Sequence, residues 1–128
     1  LVTVIPYWYH FGDGSTAGTL CLLIFHVLLG LMATSYFQVI LTDPGTVPSE
    51  WHEAIARSEA LKRQYPQCHR SGLHKPPRSH YDPITGRLVL NMDHFCPWTN
   101  NTIGFFNRKF FVLFLFYTSL TCGWAAAS

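Results

Sequence analysis

The sequence predicts a membrane α-helical fold, with transmembrane helices flanking a cytoplasmic, irregular loop that carries short β-hairpins. Three observations predict it. Neither Gly14 to Thr42 nor Phe110 to Ser128 contains an Asp, Glu, Lys or Arg. All nine Lys and Arg, and every acidic residue except Asp13, fall between Asp43 and Lys109. Charged residues are 12% of the 128-residue chain, about half the share of a soluble domain. Two apolar stretches around one polar stretch is the layout that a bilayer imposes.

The elements follow in order. Residues 1–15 read as the end of a preceding membrane segment or an interfacial loop, with Tyr7, Trp8 and Tyr9 suited to a headgroup belt. Gly12 to Gly14 suits a turn. Residues 16–42 form a transmembrane helix, and its one ionisable side chain, His26, is expected as an imidazole bonded to a neighbouring helix. Residues 43–109 are the cytoplasmic loop, and residues 110–128 start the next transmembrane helix. The chain begins at Leu1 and stops inside an apolar run, so it reads as an internal piece. No cleavable signal fits, because no basic region precedes the first long apolar run.

Within the polar stretch, Asp43-Pro44-Gly45 ends the helix, since Pro restricts its predecessor and Gly permits the turn. Ser49 to Gln64 is expected as one amphipathic helix capped by Ser49, with Trp51, Ile55, Ser58 and Leu61 on one face. Tyr81 to Arg87 is a hairpin signal: Asp82 and Pro83 suit a type I turn, Gly86 the left-handed position after it, and Leu88 to Leu90 the return strand. Nine basic residues place this stretch on the cytoplasmic side. The cytosol is reducing, so Cys68 and Cys96 are expected as free thiols. Cys21 and Cys122 lie in the apolar runs and are expected to pack. A net charge of +2 gives no reason to invoke nucleic acid.

One constellation carries chemistry. Met92-Asp93-His94-Phe95-Cys96-Pro97-Trp98 precedes Asn100-Asn101-Thr102-Ile103-Gly104 and Asn107. Cys96 is the only thiol beside a His and an Asp. An imidazole can take a thiol's proton, and a carboxylate can hold that imidazole in the right tautomer. His94 and Cys96 share a face only if the backbone is extended. By itself this spacing is weak evidence, and a His and a Cys in structural packing are the plainer reading. Asn100, Asn101 and Asn107 are expected to satisfy buried backbone, and Trp98 to anchor packing.

Over about forty residues the stretch resembles the cysteine-rich domain of the Asp-His-His-Cys (DHHC) protein S-acyltransferases. The resemblance rests on Cys68, Lys75-Pro76-Pro77-Arg78, the Met92 to Asn107 block and Phe111, with Asp43-Pro44-Gly45 as a second family motif in its expected place. It implies a piece of a four-helix membrane domain. It also implies a protein-cysteine S-palmitoyltransferase with Cys96 as nucleophile and acyl-enzyme, His94 as base and Asp93 orienting it. The acyl donor would be palmitoyl-CoA, with its charged head near Arg78, Arg108 and Lys109. Its chain would lie between membrane helices, where each buried methylene is worth about 0.8 kcal/mol. The partners would be acyl-CoA, membrane lipid and proteins with cytoplasmic or juxtamembrane cysteines. The membrane would be that of the Golgi, the endoplasmic reticulum or the cell surface.

The sequence departs from the family at its metal positions. The family holds two structural zinc ions, each on three Cys and one His. Carried over by position, the first site is Cys68, Ser71, Tyr81 and Leu88, and the second Asp82, Thr85, Phe95 and Thr102. Cys68 is the only family ligand retained, so zinc is expected to be absent, with Tyr81, Leu88, Leu90 and Phe95 packing instead. A rewired site would have to draw on Cys68 with His69, His74, His80 or Asp82. Two other functional classes stay open: an inactive scaffold that binds a partner or lipid, and a zinc module, which lacks ligands.

Overall fold

The computed structural model describes Ile5, Trp8, Tyr9, Gly12 and residues 14–128. The expected interfacial segment over residues 1–15 therefore lies largely outside the described residues. The chain divides into two compact units, residues 1–37 with 110–128, and residues 38–109.

The first unit is built from most of two apolar helices, of which residues 38–41 and 108–109 belong to the second unit. Helix α1 is Thr16–Leu41 and helix α4 is Arg108–Ala127. At 1.5 Å per residue they are about 39 and 30 Å long, enough to cross a hydrocarbon core. They pack at a seam where Leu22 and Phe25 meet Leu29, Trp124 and Ala125, and Tyr36 meets Phe114 with ring centroids 5.3 Å apart. The Trp124 indole donates to the Cys21 carbonyl at 3.3 Å. Leu23 (60%), Phe37 (58%) and Phe116 (55%) are exposed, as side chains facing lipid are. Thr34, Ser35, Thr118, Ser119 and Thr121 each donate to the carbonyl four residues back, which satisfies these hydroxyls in an apolar medium. His26 finds its partners in its own helix and in Trp8: Nδ1 meets the Leu22 carbonyl at 2.7 Å, and the Trp8 indole donates to Nε2 at 3.0 Å. Cys122 is exposed rather than packed.

In the second unit the expected helix from Ser49 to Gln64 is two: α2, Ser49–Arg57, and α3, Glu59–Gln64. Ser58 breaks the run. Its backbone is extended, and its hydroxyl accepts from Leu61 N at 3.4 Å, so it caps the second piece. Pro48, not Ser49, holds the N-cap position of α2, with no side-chain cap. Charge order is as expected, with Glu50 and Glu59 in first turns and Arg57, Lys62 and Arg63 in last turns.

Two antiparallel hairpins follow. Strand β1, His80–Asp82, pairs with β2, Arg87–Val89, placing Tyr81 opposite Leu88. The four-residue loop closes with Gly86 N donating to the Asp82 carbonyl at 2.9 Å, and Gly86 takes φ +70°. Strand β3, His94–Cys96, pairs with β4, Asn101–Ile103, placing Phe95 opposite Thr102. The second hairpin was not legible as such, because Pro97-Trp98-Thr99-Asn100 interrupts the alternating pattern. Asn100 supplies the left-handed turn residue at φ 46°.

The Asp43-Pro44-Gly45 segment stitches these pieces together. Gly45 O accepts from Leu90 N at 2.8 Å, Pro44 O from Phe106 N at 3.2 Å, and Leu88 O from Val47 N at 3.2 Å. Asp43 uses one carboxylate oxygen to accept from Gly45 N and the other to meet Arg87 at 2.7 Å. Gly104 lies so close to this segment that a Cβ there would stand 2.6 Å from Pro44 O and 2.8 Å from Val89 Cγ1. Gly104→Ala should therefore destabilise the second unit by about 2–3 kcal/mol. Gly30→Ala, with nothing within 4 Å of the new atom, should leave stability unchanged. Thermal unfolding of both variants checks the contrast.

Candidate functional site

The candidate site is the second hairpin. Because β3 is extended, His94 and Cys96 lie on one face of it, the condition their spacing demanded. Asp93 precedes the strand, and its N–H donates to the Ile103 carbonyl at 2.8 Å. Asp93 Oδ2 stands 3.6 Å from His94 Nδ1. That is longer than a hydrogen bond. His94 and Asp93 are exposed, whereas Cys96 is 4% exposed.

The turn after Cys96 is tied to it. Thr99 N and Thr99 Oγ1 both donate to the Cys96 carbonyl at 3.3 Å. Thr99 is buried, and Trp98, expected as a packing anchor, is 83% exposed. Trp98 occupies the tip of the hairpin, where the turn sends one side chain inward and its neighbour out. Asn101 and Asn107 do satisfy buried backbone. The Asn101 amide reaches the carbonyls of Val39, Ile40 and Thr42 at 2.9, 3.3 and 3.1 Å. Asn107 accepts from Gly104 N and donates to Thr102 O, both at 2.8 Å.

The three expected cofactor cations are differently placed. Arg78 is exposed, with φ 60°, and lines a cleft of about 300 Å³ with Leu90, Asn91, Phe105 and Phe106. Arg108 is turned inward and donates to the Asn91 carbonyl at 2.7 Å. Lys109 is exposed.

The positions that correspond to zinc ligands form two contiguous groups. In the first, Cys68 packs with Val47 and Leu88, and Tyr81 lies against them. Hydrogen bonds from Ser71, side chain and then backbone, hold the Cys68 thiol below its ordinary range. In the second, Asp82 is fully buried. Its carboxylate accepts from Ile84 N at 3.0 Å, from Thr85 Oγ1 at 2.6 Å, and from Thr102 Oγ1. Phe95 takes no part in the apolar group around Cys68 and instead faces Thr102 across the hairpin. These donor sets do not fit zinc, which needs four N, S or carboxylate ligands. Tyr81, Leu88 and Phe95 offer none of the usual ones, and among the described residues His69, His74 and His80 complete no three-ligand group with Cys68 or Asp82.

Comparison with known proteins gives one family. The profile described as DHHC palmitoyltransferase matches residues 62–128. The chain is 40% identical over 124 residues to "Probable protein S-acyltransferase 13" of Arabidopsis thaliana, covering 85% of this chain and 41% of that protein. It is 34% identical over 135 residues to "Palmitoyltransferase ZDHHC2" of Mus musculus, covering 84% and 37%. The chain thus spans about two fifths of the length of these relatives.

Burial works to raise the pKa of Asp82, but the hydroxyls of Thr102 and Thr85 and the N–H groups of Ile84 and Thr85 outweigh it and hold the carboxyl below its ordinary 3.8. A depressed folded-state pKa stabilises the fold above the unfolded-state value, and that stability is lost as pH falls through the folded value. The second unit should therefore unfold more readily only below about pH 4. Asp82→Asn should flatten this dependence. Denaturant unfolding between pH 7 and pH 3 provides the check.

Proposed function

This chain belongs to the DHHC palmitoyltransferase family, and from that premise we propose that it is part of a protein-cysteine S-palmitoyltransferase acting through Cys96. The observation that carries the reading is the extended β3 strand, which sets His94 and Cys96 on one face with Asp93 against the imidazole. In the first step His94 takes the Cys96 proton. The thiolate attacks the thioester carbonyl of palmitoyl-CoA, the bond to the CoA sulfur breaks, and the CoA thiol leaves with a proton. In the second, a substrate cysteine attacks the acyl-Cys96 thioester and Cys96 is released as a thiol. Each step exchanges one thioester for another. His94 serves as proton carrier in both, and Asp93 keeps Nδ1 protonated so that Nε2 does the transfer.

Arg78, at its cleft, and Lys109 are the cations proposed to meet the CoA phosphates, with Arg108 held back by Asn91. The nine basic residues support a cytoplasmic loop. Donor and acceptor would then both be reached from that side of an endomembrane (Golgi, endoplasmic reticulum) or of the plasma membrane. Substrates would be proteins with cytoplasmic or juxtamembrane cysteines, and membrane lipid would surround the helices. The burial of Cys96 favours one second reading, an inactive scaffold that binds a partner or lipid.

Labelling the full-length protein with a clickable palmitate analogue separates the two. Wild type should carry a hydroxylamine-sensitive label on Cys96 and Cys96→Ser should carry none. A label found on Cys68 with Cys96 bare, or no label at all, would sink the enzyme assignment. His94→Ala should slow acyl transfer by about 100-fold or more. It should also slow alkylation of Cys96 at neutral pH, a readout that needs no acyl donor.

A further inference from the structure

The positions that would hold the second zinc ion are Asp82, Thr85, Phe95 and Thr102, and they come from both hairpins. In this chain Asp82, Thr85 and Thr102 still meet. Asp82 closes β1 and Thr85 sits in the turn that follows, while Thr102 is the middle residue of β4. The Asp82 carboxylate takes hydroxyl hydrogens from Thr85 and Thr102 on the same oxygen, and a backbone hydrogen from Ile84 on the other. Asp82 and Thr102 are both 0% exposed. Thr102 is opposite Phe95, between His94 and Cys96, so whatever holds Thr102 also holds the strand that bears the nucleophile.

We infer that the fold has exchanged its second metal for a carboxylate–hydroxyl clasp, in which Asp82 of the first hairpin fixes Thr102 of the second and so positions Cys96 without zinc. The chemistry of the exchange is coherent. A zinc ion joins distant chain segments by neutralising several thiolates at one point, and binding it is part of folding. A single buried carboxylate reverses the polarity: it is the lone charge, and the surrounding groups must be donors. Thr85 and Thr102 are donors in two of the three places where the family would supply thiolates, and Asp82 is the third. Retaining even one thiolate beside Asp82 would put two anions together with no cation to separate them, and burial makes such a pair costly. The first group of positions changed in the other direction. Tyr81 and Leu88 pack on Cys68, and apolar contact closes what a second ion would close.

Charge on the carboxylate is what gives the clasp its strength, because a hydrogen bond to an ionised acceptor is roughly twice as strong as a neutral one. The two threonines are not equivalent. Thr85 lies three residues from Asp82 and would stay near it in any local turn, whereas Thr102 lies twenty residues away and is near it only in the folded loop. The cross-hairpin bond to Thr102 is therefore the part that positions the nucleophile.

The test uses the full-length protein in detergent, expressed in zinc-supplemented medium. Elemental analysis should find well under one zinc per chain, and a zinc chelator should leave the melting temperature unchanged. Thr102→Val should lower the melting temperature by on the order of 5 °C, and Thr102→Ser, which keeps the hydroxyl, should restore most of it. Thr102→Val should also speed maleimide labelling of Cys96 in the native protein by about tenfold, as the hairpin opens more often. Thr85→Val should do so less. One or two zinc ions per chain with melting lowered by chelation would overturn the inference. So would Thr102→Val that melts and labels like wild type, or Thr102→Ser that is as damaged as the valine variant. A Thr102→Val protein that does not fold while Thr102→Ser does would support it. None of these readouts passes through acyl transfer, so an inactive protein would defeat the proposed function without touching this result.

Discussion

Helix α1 ends with carbonyl groups that no later turn can satisfy, and in this chain the amide of Asn101 reaches those of Val39, Ile40 and Thr42. Asn101 belongs to β4, the partner of the strand that carries His94 and Cys96. The end of the apolar helix and the candidate site are thus fixed by one side chain. Asn107 extends the arrangement by closing the Thr102 to Gly104 backbone on itself, and it reaches toward Thr42 O at 3.5 Å. Were the helix to continue, those carbonyls would be taken, and the hairpin would have nothing to dock on. Asp43-Pro44-Gly45 prevents this, since proline cannot continue the ladder and Gly45, at φ +105°, turns the chain away.

The turn that stops the helix also supplies edges for pairing. Gly45 and Pro44 present their carbonyls to Leu90 and Phe106, and Thr46 bridges Val89. Both hairpins are short, and isolated hairpins of that size are marginal in water. Here the first is held to the turn after α1 and to the apolar group of Val47, Cys68 and Leu88, the second to the end of α1 through Asn101, and the two to each other through Asp82 and Thr102. The Arg87–Asp43 contact is partly exposed on both sides, so it orients the strands more than it stabilises them.

In the second hairpin a buried thiol, Cys96, lies two residues from an exposed imidazole, His94. Thr99 grips the Cys96 carbonyl from within the turn, while Trp98 projects outward at the hairpin tip. A large apolar ring standing next to a buried thiol suits an environment of lipid and acyl chain better than one of water. Burial also protects a thiol from oxidation. His94 and Asp93, by contrast, are exposed.

Much of this was legible in the sequence, for reasons that are local. Apolar length decides a spanning helix whatever its neighbours do, and Thr16–Leu41 and Arg108–Ala127 agree with the unbroken runs of uncharged residues. Gly86 at a positive φ followed from the turn chemistry of Asp82 and Pro83, and an extended His94 to Cys96 followed from their spacing if they were to act together. Other features depended on partners far along the chain. The retreat of Arg108 onto Asn91 is one, whereas the break at Ser58 is a local cap that competes with a continuing helix, and helix preference alone does not decide between the two. Above all, the meeting of Asp82 with Thr102 is a tertiary fact. A carboxylate at a vacated ligand position looks like a lone defect in the sequence. Only the fold brings it two hydroxyls and an N–H, and with them the hydrogen bonds that make a buried charge tolerable.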